Sequence, residues 1–208
     1  MILFNVHTHN HADAHSIFNV DISTSNQIPQ TPFSIGIHPM NAHLWSPSLE
    51  EKMVTWAKES NCYAIGECGL DKNCATEFSV QEKVFVNQIR LAQKIKKPLI
   101  VHCVKAYNEL IRMLKSEQFN QPVIIHGFRG KKELAQQLLR EDFYLSIGAG
   151  RQYLLDTIRV IPLDHLWLET DDREENIQDV YADIAHMLEI NVETLTSIKN
   201  DLKIMWNI

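Results

Sequence analysis

Apolar residues fall in short, nearly unbroken runs at 2–6, 16–22, 33–37, 63–66, 98–101, 122–125, 143–147 and 166–168. Runs of this length suit strands buried on both faces, as in a parallel sheet covered by helices. Between the later runs the spacing becomes helical: Phe85, Ile89 and Ala92, then Ile177, Val180, Ile184 and Met187, then Leu195, Ile198, Leu202 and Met205. These stripes are core positions. Ser48-Leu49-Glu50-Glu51 and Ser79-Val80-Gln81-Glu82 read as capping boxes that open helices, the Ser oxygen taking an orphan amide while the Glu reaches back. Eight strands alternating with helices predict an α/β fold, a (β/α)8 TIM-type barrel. The first three runs lie too close together for an ordinary parallel crossover of about a dozen residues. The barrel is therefore expected to be shortened, with its first crossover helices missing or with local antiparallel pairing at its start.

Composition narrows the class. A chain of 208 residues, 45% hydrophobic and 22% charged, without a low-complexity tract, predicts a single domain over 1–208. No apolar run reaches membrane-spanning length, and residues 1–15 are rich in His, Asn and Asp where a signal peptide needs an apolar segment. An unexported, cytoplasmic protein is expected, with no membrane partner. Cys62, Cys68, Cys74 and Cys103 show neither a disulfide framework nor zinc-knuckle spacing, which fits reduced thiols. A formal charge of -6 excludes broad attraction to a nucleic-acid backbone, so any polyanion contact must be local.

What ends each run is chemically specific. His7 and His9 close the first, and residues two apart on a strand share a face. Glu67 follows the fourth run, His102 the fifth, His126 the sixth, and Glu169-Thr170-Asp171 the eighth. A barrel brings strand ends to one rim, where four imidazoles and two carboxylates would form an open N/O site that leaves room for water and substrate.

In order along the chain, His7-Thr8-His9, Gly36-Ile37-His38-Pro39, Ile65-Gly66-Glu67-Cys68-Gly69-Leu70-Asp71, Val101-His102-Cys103, His126-Gly127-Phe128-Arg129-Gly130 and Leu168-Glu169-Thr170-Asp171 resemble the signatures of TatD-like metal-dependent hydrolases of the amidohydrolase superfamily. The resemblance spans residues 1–171. It implies a (β/α)8-type barrel, one or two divalent ions and metal-dependent deoxyribonuclease activity, often exonucleolytic, of the 3'-5' type. It implies that His7, His9 and Asp171 hold one ion, that His102 and His126 hold a second, and that Glu67 bridges them. Glu67 and Asp171 are then the catalytic carboxylates, with Asp171 both ligand and base. Imidazole-rich ligation favours zinc, manganese, cobalt or iron, while the resemblance also allows magnesium.

The departures concern the rim. Val104 and Lys105 stand where the family has Arg and an acid, and Asp172-Arg173-Glu174-Glu175 replaces a longer Pro- and Arg-containing loop. Arg129 offers a local phosphate contact through its planar fork, and His38 is a substrate-facing or ligand-orienting candidate. Glu169 is expected to point to the other face from Asp171 and to matter less. Cys68 and Cys103 have the opposite parity to their neighbouring ligands and are read as packing groups. His11 and His15 are near the site in sequence only, and His43, His165 and His186 read as loop or surface residues. The leading expectation is a phosphodiesterase acting on DNA ends. The alternatives are an amidase or esterase for a small molecule, suggested by the acidic, shortened rim, and a metal-binding component of a larger assembly.

Overall fold

The computed structural model describes residues 3–10, 14–148 and 150–197. Its strands are β1 Asn5–Thr8, β2 Ser16–Asp21, β3 Phe33–Gly36, β4 Cys62–Asp71, β5 Leu99–Val104, β6 Val123–Ile125, β7 Tyr144–Ile147 and β8 Leu166–Leu168. They follow one another in the sheet in chain order, and the described pairings are parallel. Thr8 on β1 also bridges in parallel to Asp171, just past β8. This is the connectivity of a (β/α)8 barrel. The helices are α1 Pro47–Trp56, α2 Phe78–Ile95, α3 Tyr107–Ser116, α4 Lys132–Leu139, α5 Leu155–Ile158 and α6 Ile177–Leu188. Among the described residues no helix separates β1 from β2 or β2 from β3, as the short spacings predict. The antiparallel alternative is not adopted, because β1 and β2 pair in parallel, Asn5 opposite Ser16 and Thr8 opposite Phe18. No described helix is long and apolar enough to cross a membrane.

The residues group into two compact units, one containing the chain up to Phe18 and again from Ile124, the other Asn19–Val123. In the first, Phe4, Val6, Trp167, Leu168, Val180, Tyr181 and Ile184 are all but fully buried. Tyr181 of α6 clamps β1 at its entry, its hydroxyl donating to Phe4 O at 3.0 Å and accepting the Phe4 N–H at 3.3 Å. Along the α6 stripe Val180 and Ile184 are buried, whereas Ile177 and Met187 are only half-buried. Leu195 is buried, and Ile198, Leu202 and Met205 lie outside the described residues.

Arg151 stands just past β7, buried to 6% exposure. Its guanidinium donates to both Glu175 oxygens, to Asp183 Oδ2 twice and to Gly148 O. It thereby ties the end of β7 and the acidic rim loop to α6. Removing it strands charge-assisted bonds, but Asp183 is 58% exposed and recovers water on its own. Arg151→Met should therefore lower stability by about 1–3 kcal/mol rather than more. Urea unfolding measures this, and an unchanged midpoint would show the clamp to be energetically idle.

In the second unit Phe33, Ile35, Ile65, Leu99, Val101, Phe85, Ile89 and Ala92 are fully buried. Both helix starts differ from the sequence expectation. α1 is capped by Ser46, whose Oγ accepts the Leu49 N–H at 3.3 Å with Pro47 in the first helical position, so Ser48 is already inside the helix. α2 begins at Phe78 with Glu77 at the cap and no side-chain cap bond, because the Ser79 hydroxyl donates to Glu77 instead. Gln81, the third residue of that expected box, is buried and turned to a different task. Its amide accepts the Asp71 N–H at 2.8 Å and donates to Asp71 O at 3.0 Å, which extends β4 to Asp71, well past the apolar run. Gln88, two turns on, holds Ile37 in the same way, through its N–H at 2.8 Å and its C=O at 3.2 Å. Each net bond is worth about 1 kcal/mol, and together they fix where β3 and β4 end.

Candidate metal centre

In the first unit, His7 on β1 is fully buried and His9 follows in the loop. Past β8 the chain leaves the strand, with Asp171 in the left-handed region at φ 53°, a conformation Asp tolerates. Its backbone is held on both sides: the Asp171 N–H donates to His7 O at 3.1 Å, and the His9 N–H donates to Asp171 O at 2.9 Å. Asn5 locks the preceding residue, its Nδ2 donating to Thr170 Oγ1 at 2.8 Å and its Oδ1 accepting the Thr170 N–H at 3.1 Å. These bonds set Asp171 Oδ1 at 3.6 Å from His7 Nε2 and 3.5 Å from His9 Nε2. Both separations are too long for hydrogen bonds. They match the spacing of about 3.4 Å between two ligands that each sit about 2.1 Å from a tetrahedral ion.

His126 belongs to this group. One ligand atom from each of His7, His126 and Asp171 lies within 4.8 Å of the others, and the His7 and His126 ring centroids are 4.3 Å apart. The resemblance assigns His126 to the second ion with His102; in the first unit its ring lies against that of His7 on β1, and Gly127, at φ 56°, turns the chain just after it. Glu169 secures that turn. It is fully buried, and its Oε1 accepts the Gly127 N–H at 2.6 Å and stands 3.8 Å from His126 Nδ1. β8 ends at Leu168, and even a continued strand would put residues two apart, 169 and 171, on one face and not on opposite ones. The expected outward-facing Glu169 is instead an inward support for His126.

The second unit gathers Glu67, His102 and His38, again with one ligand atom from each within 4.8 Å. Glu67 is placed by Asn19, whose Oδ1 accepts the Glu67 N–H at 2.8 Å and whose Nδ2 donates to Glu67 Oε2 at 3.4 Å. Glu67 Oε1 meets His102 Nδ1 at 3.0 Å and His38 Nε2 at 3.3 Å. The far side of the His102 ring, Nε2, meets Asp71 Oδ2 at 3.2 Å. A carboxylate behind an imidazole fixes its tautomer and raises its basicity as a ligand. Asp71 was legible only as the end of a motif block, and its partner Gln81 reveals why it is held there.

Arg129 is exposed on the loop after β6, and the described contacts bring it to neither group. His43 and His186 are exposed. His165 is partly covered between Asp142 and Asp164, each 3.0 Å away. The four cysteines are free thiols. Burial pushes Cys62 up to about 11 and Cys103 up to about 12, and raises Cys68 as well. No cysteine joins either ligand group.

The profile of TatD-related DNases matches residues 6–202. The uncharacterized metal-dependent hydrolase YcfH of Escherichia coli K12 is 30% identical over 189 residues, 81% of this chain and 71% of that protein. The 3'-5' ssDNA/RNA exonuclease TatD of Klebsiella pneumoniae is 40% identical over 83 residues, and there the match spans 38% of this chain and 31% of the relative. Among solved structures, YjjV, a TatD homologue from E. coli K12, superimposes with a TM-score of 0.78 at 21% identity, covering 93% of this chain and 86% of that one.

Proposed function

The chain belongs to the family of TatD-related DNases, and from that membership we propose that it is a metal-dependent hydrolase of phosphodiester bonds, acting on nucleic-acid ends as a 3'-5' exonuclease in the cytoplasm. The observation that carries the reading is the ion-sized spacing of His7, His9 and Asp171 around one oxygen. The donor set fits a divalent ion. His7, His9, His126 and Asp171 would hold one, and Glu67 with His102 a second, zinc, manganese, cobalt or iron suiting the imidazoles better than magnesium.

A bound ion supplies Lewis acidity, making water a nucleophile near neutral pH and offsetting charge on the phosphoryl oxygens. The protein does the rest. Asp171, fixed at its backbone by His7 and His9, takes the proton of the attacking water. His7 and His126 are buried, so their rings enter the site already oriented, without a side-chain entropy cost on loading. Asp71 and Glu169 keep His102 and the His126 turn in place. Arg129 is the local phosphate contact at the rim in this reading.

The rim past Asp171 supports a second reading. Arg151 is fully engaged by Glu175 and Asp183, while Asp172 and Glu174 are exposed. Such a rim would favour a small amide or ester over a long polyanion. Metal-loaded protein incubated with end-labelled single-stranded DNA, RNA and duplex DNA, beside an amide and ester panel, tests the proposal. Stepwise shortening from the 3' end is expected. Turnover confined to the amide and ester panel would overturn the nuclease reading.

A further inference from the structure

His38 has the ligand chemistry to join Glu67 and His102, but its surroundings commit it otherwise. It is the N-cap of the short 3-10 helix Pro39–Leu44, and its Nδ1 accepts the Met40 N–H at 3.1 Å. A nitrogen that accepts a hydrogen bond is using its lone pair. The ring proton is therefore on Nε2, and a protonated ring nitrogen has no lone pair to offer a cation. That Nε2 lies 3.3 Å from Glu67 Oε1. The backbone leaves the ring little freedom: Pro39 holds His38 extended at φ −61°, ψ 145°, and Gln88 grips Ile37 from both sides.

We propose that His38 is not a metal ligand but a positioning residue, a fixed Nε2–H donor whose tautomer is set by the helix cap and which aims Glu67 Oε1. The cap thus does two things, starting a helix with one ring nitrogen and choosing the proton on the other. The proposal rests on the reading that Glu67 and His102 hold an ion, but its first test does not.

Long-range 1H–15N correlation on histidine-labelled, metal-free protein reads the tautomer directly. His38 protonated on Nε2 alone is expected, and protonation on Nδ1 would overturn the proposal. The second test uses two near-isosteres. In His38→Gln the amide nitrogen can take the place of Nε2–H, while the cap acceptor is lost. In His38→Asn the cap acceptor is kept, Asn being a strong N-cap residue, while the donor is lost. Cobalt(II) titration followed by absorption, with Glu67→Gln identifying the ion at this group, should show affinity about 10-fold weaker in His38→Asn, the scale for losing a ligand-orienting partner. His38→Gln should stay within a few-fold of wild type. The reverse order would reduce His38 to a helix cap, and complete loss of that ion in both variants would make it a ligand. Either result defeats the proposal. If wild type binds no ion that Glu67→Gln removes, the metal reading of this group fails, and the tautomer alone decides the role of His38.

Discussion

Asp171→Asn should lower kcat by about 10²-fold or more, the scale for losing a positioned acid–base group, while the fold stays intact. Asn, like Asp, tolerates the left-handed backbone found there at φ 53°. The His7 and His9 backbone bonds that hold residue 171 do not depend on its side chain. The substitution therefore isolates the charge. Ion affinity should weaken as a carboxylate ligand becomes an amide, so the comparison belongs at matched ion occupancy. Glu169→Gln should cost less, because its amide oxygen can still accept the Gly127 N–H that the carboxylate accepts now. Steady-state kinetics of both variants, with thermal unfolding as the control, check this. A Glu169 variant more damaging than the Asp171 one would move the base to Glu169.

Gly69→Ala should be the most damaging single methyl in the chain, costing about 3 kcal/mol or more. Gly69 sits at φ 136° where β4 presses on β5, and a Cβ there would lie 2.1 Å from His102 O. The contact is backbone to side chain on a buried strand, so neither partner can swing away. For a chain of this size each kcal/mol shifts Tm by about 2–4 °C, giving a fall of about 6–12 °C. Because the clash falls on residue 102, ion binding at Glu67 and His102 should weaken with it. Calorimetry reads the first effect, and an unchanged Tm would mean that β4 and β5 do not approach as described.

The strands were legible because both their faces are buried, which leaves continuous apolar runs: Phe33 and Ile35, Leu99 and Val101, Leu166 and Leu168. The ligand-type residues were legible because each follows such a run. What supports them was not. Asn5 holds Thr170 from 165 positions away, and Asn19 holds Glu67 from 48. A side-chain amide inside a strand or helix carries no local sign of a partner so distant, and nothing in the spacing along α2 marks Gln81 and Gln88 as the side chains that grip two strand ends. Glu169 was misplaced for a different reason. Residues two apart share a face, so parity puts Glu169 on the side of Asp171, in keeping with its burial and its bond to the Gly127 N–H. The start of α1 was readable after all, since Ser46-Pro47 is a cap followed by a residue suited to the first helical turn.

Anomalous diffraction from crystals soaked in manganese or zinc tests most directly whether these residues hold ions. A peak about 2.0–2.2 Å from His7 Nε2, His9 Nε2 and an Asp171 oxygen, with a second on Glu67 and His102 and none bonded to His38, is the predicted result. Crystals soaked at saturating ion that show no density at His7, His9 and Asp171, or ions bound only elsewhere, would contradict the account.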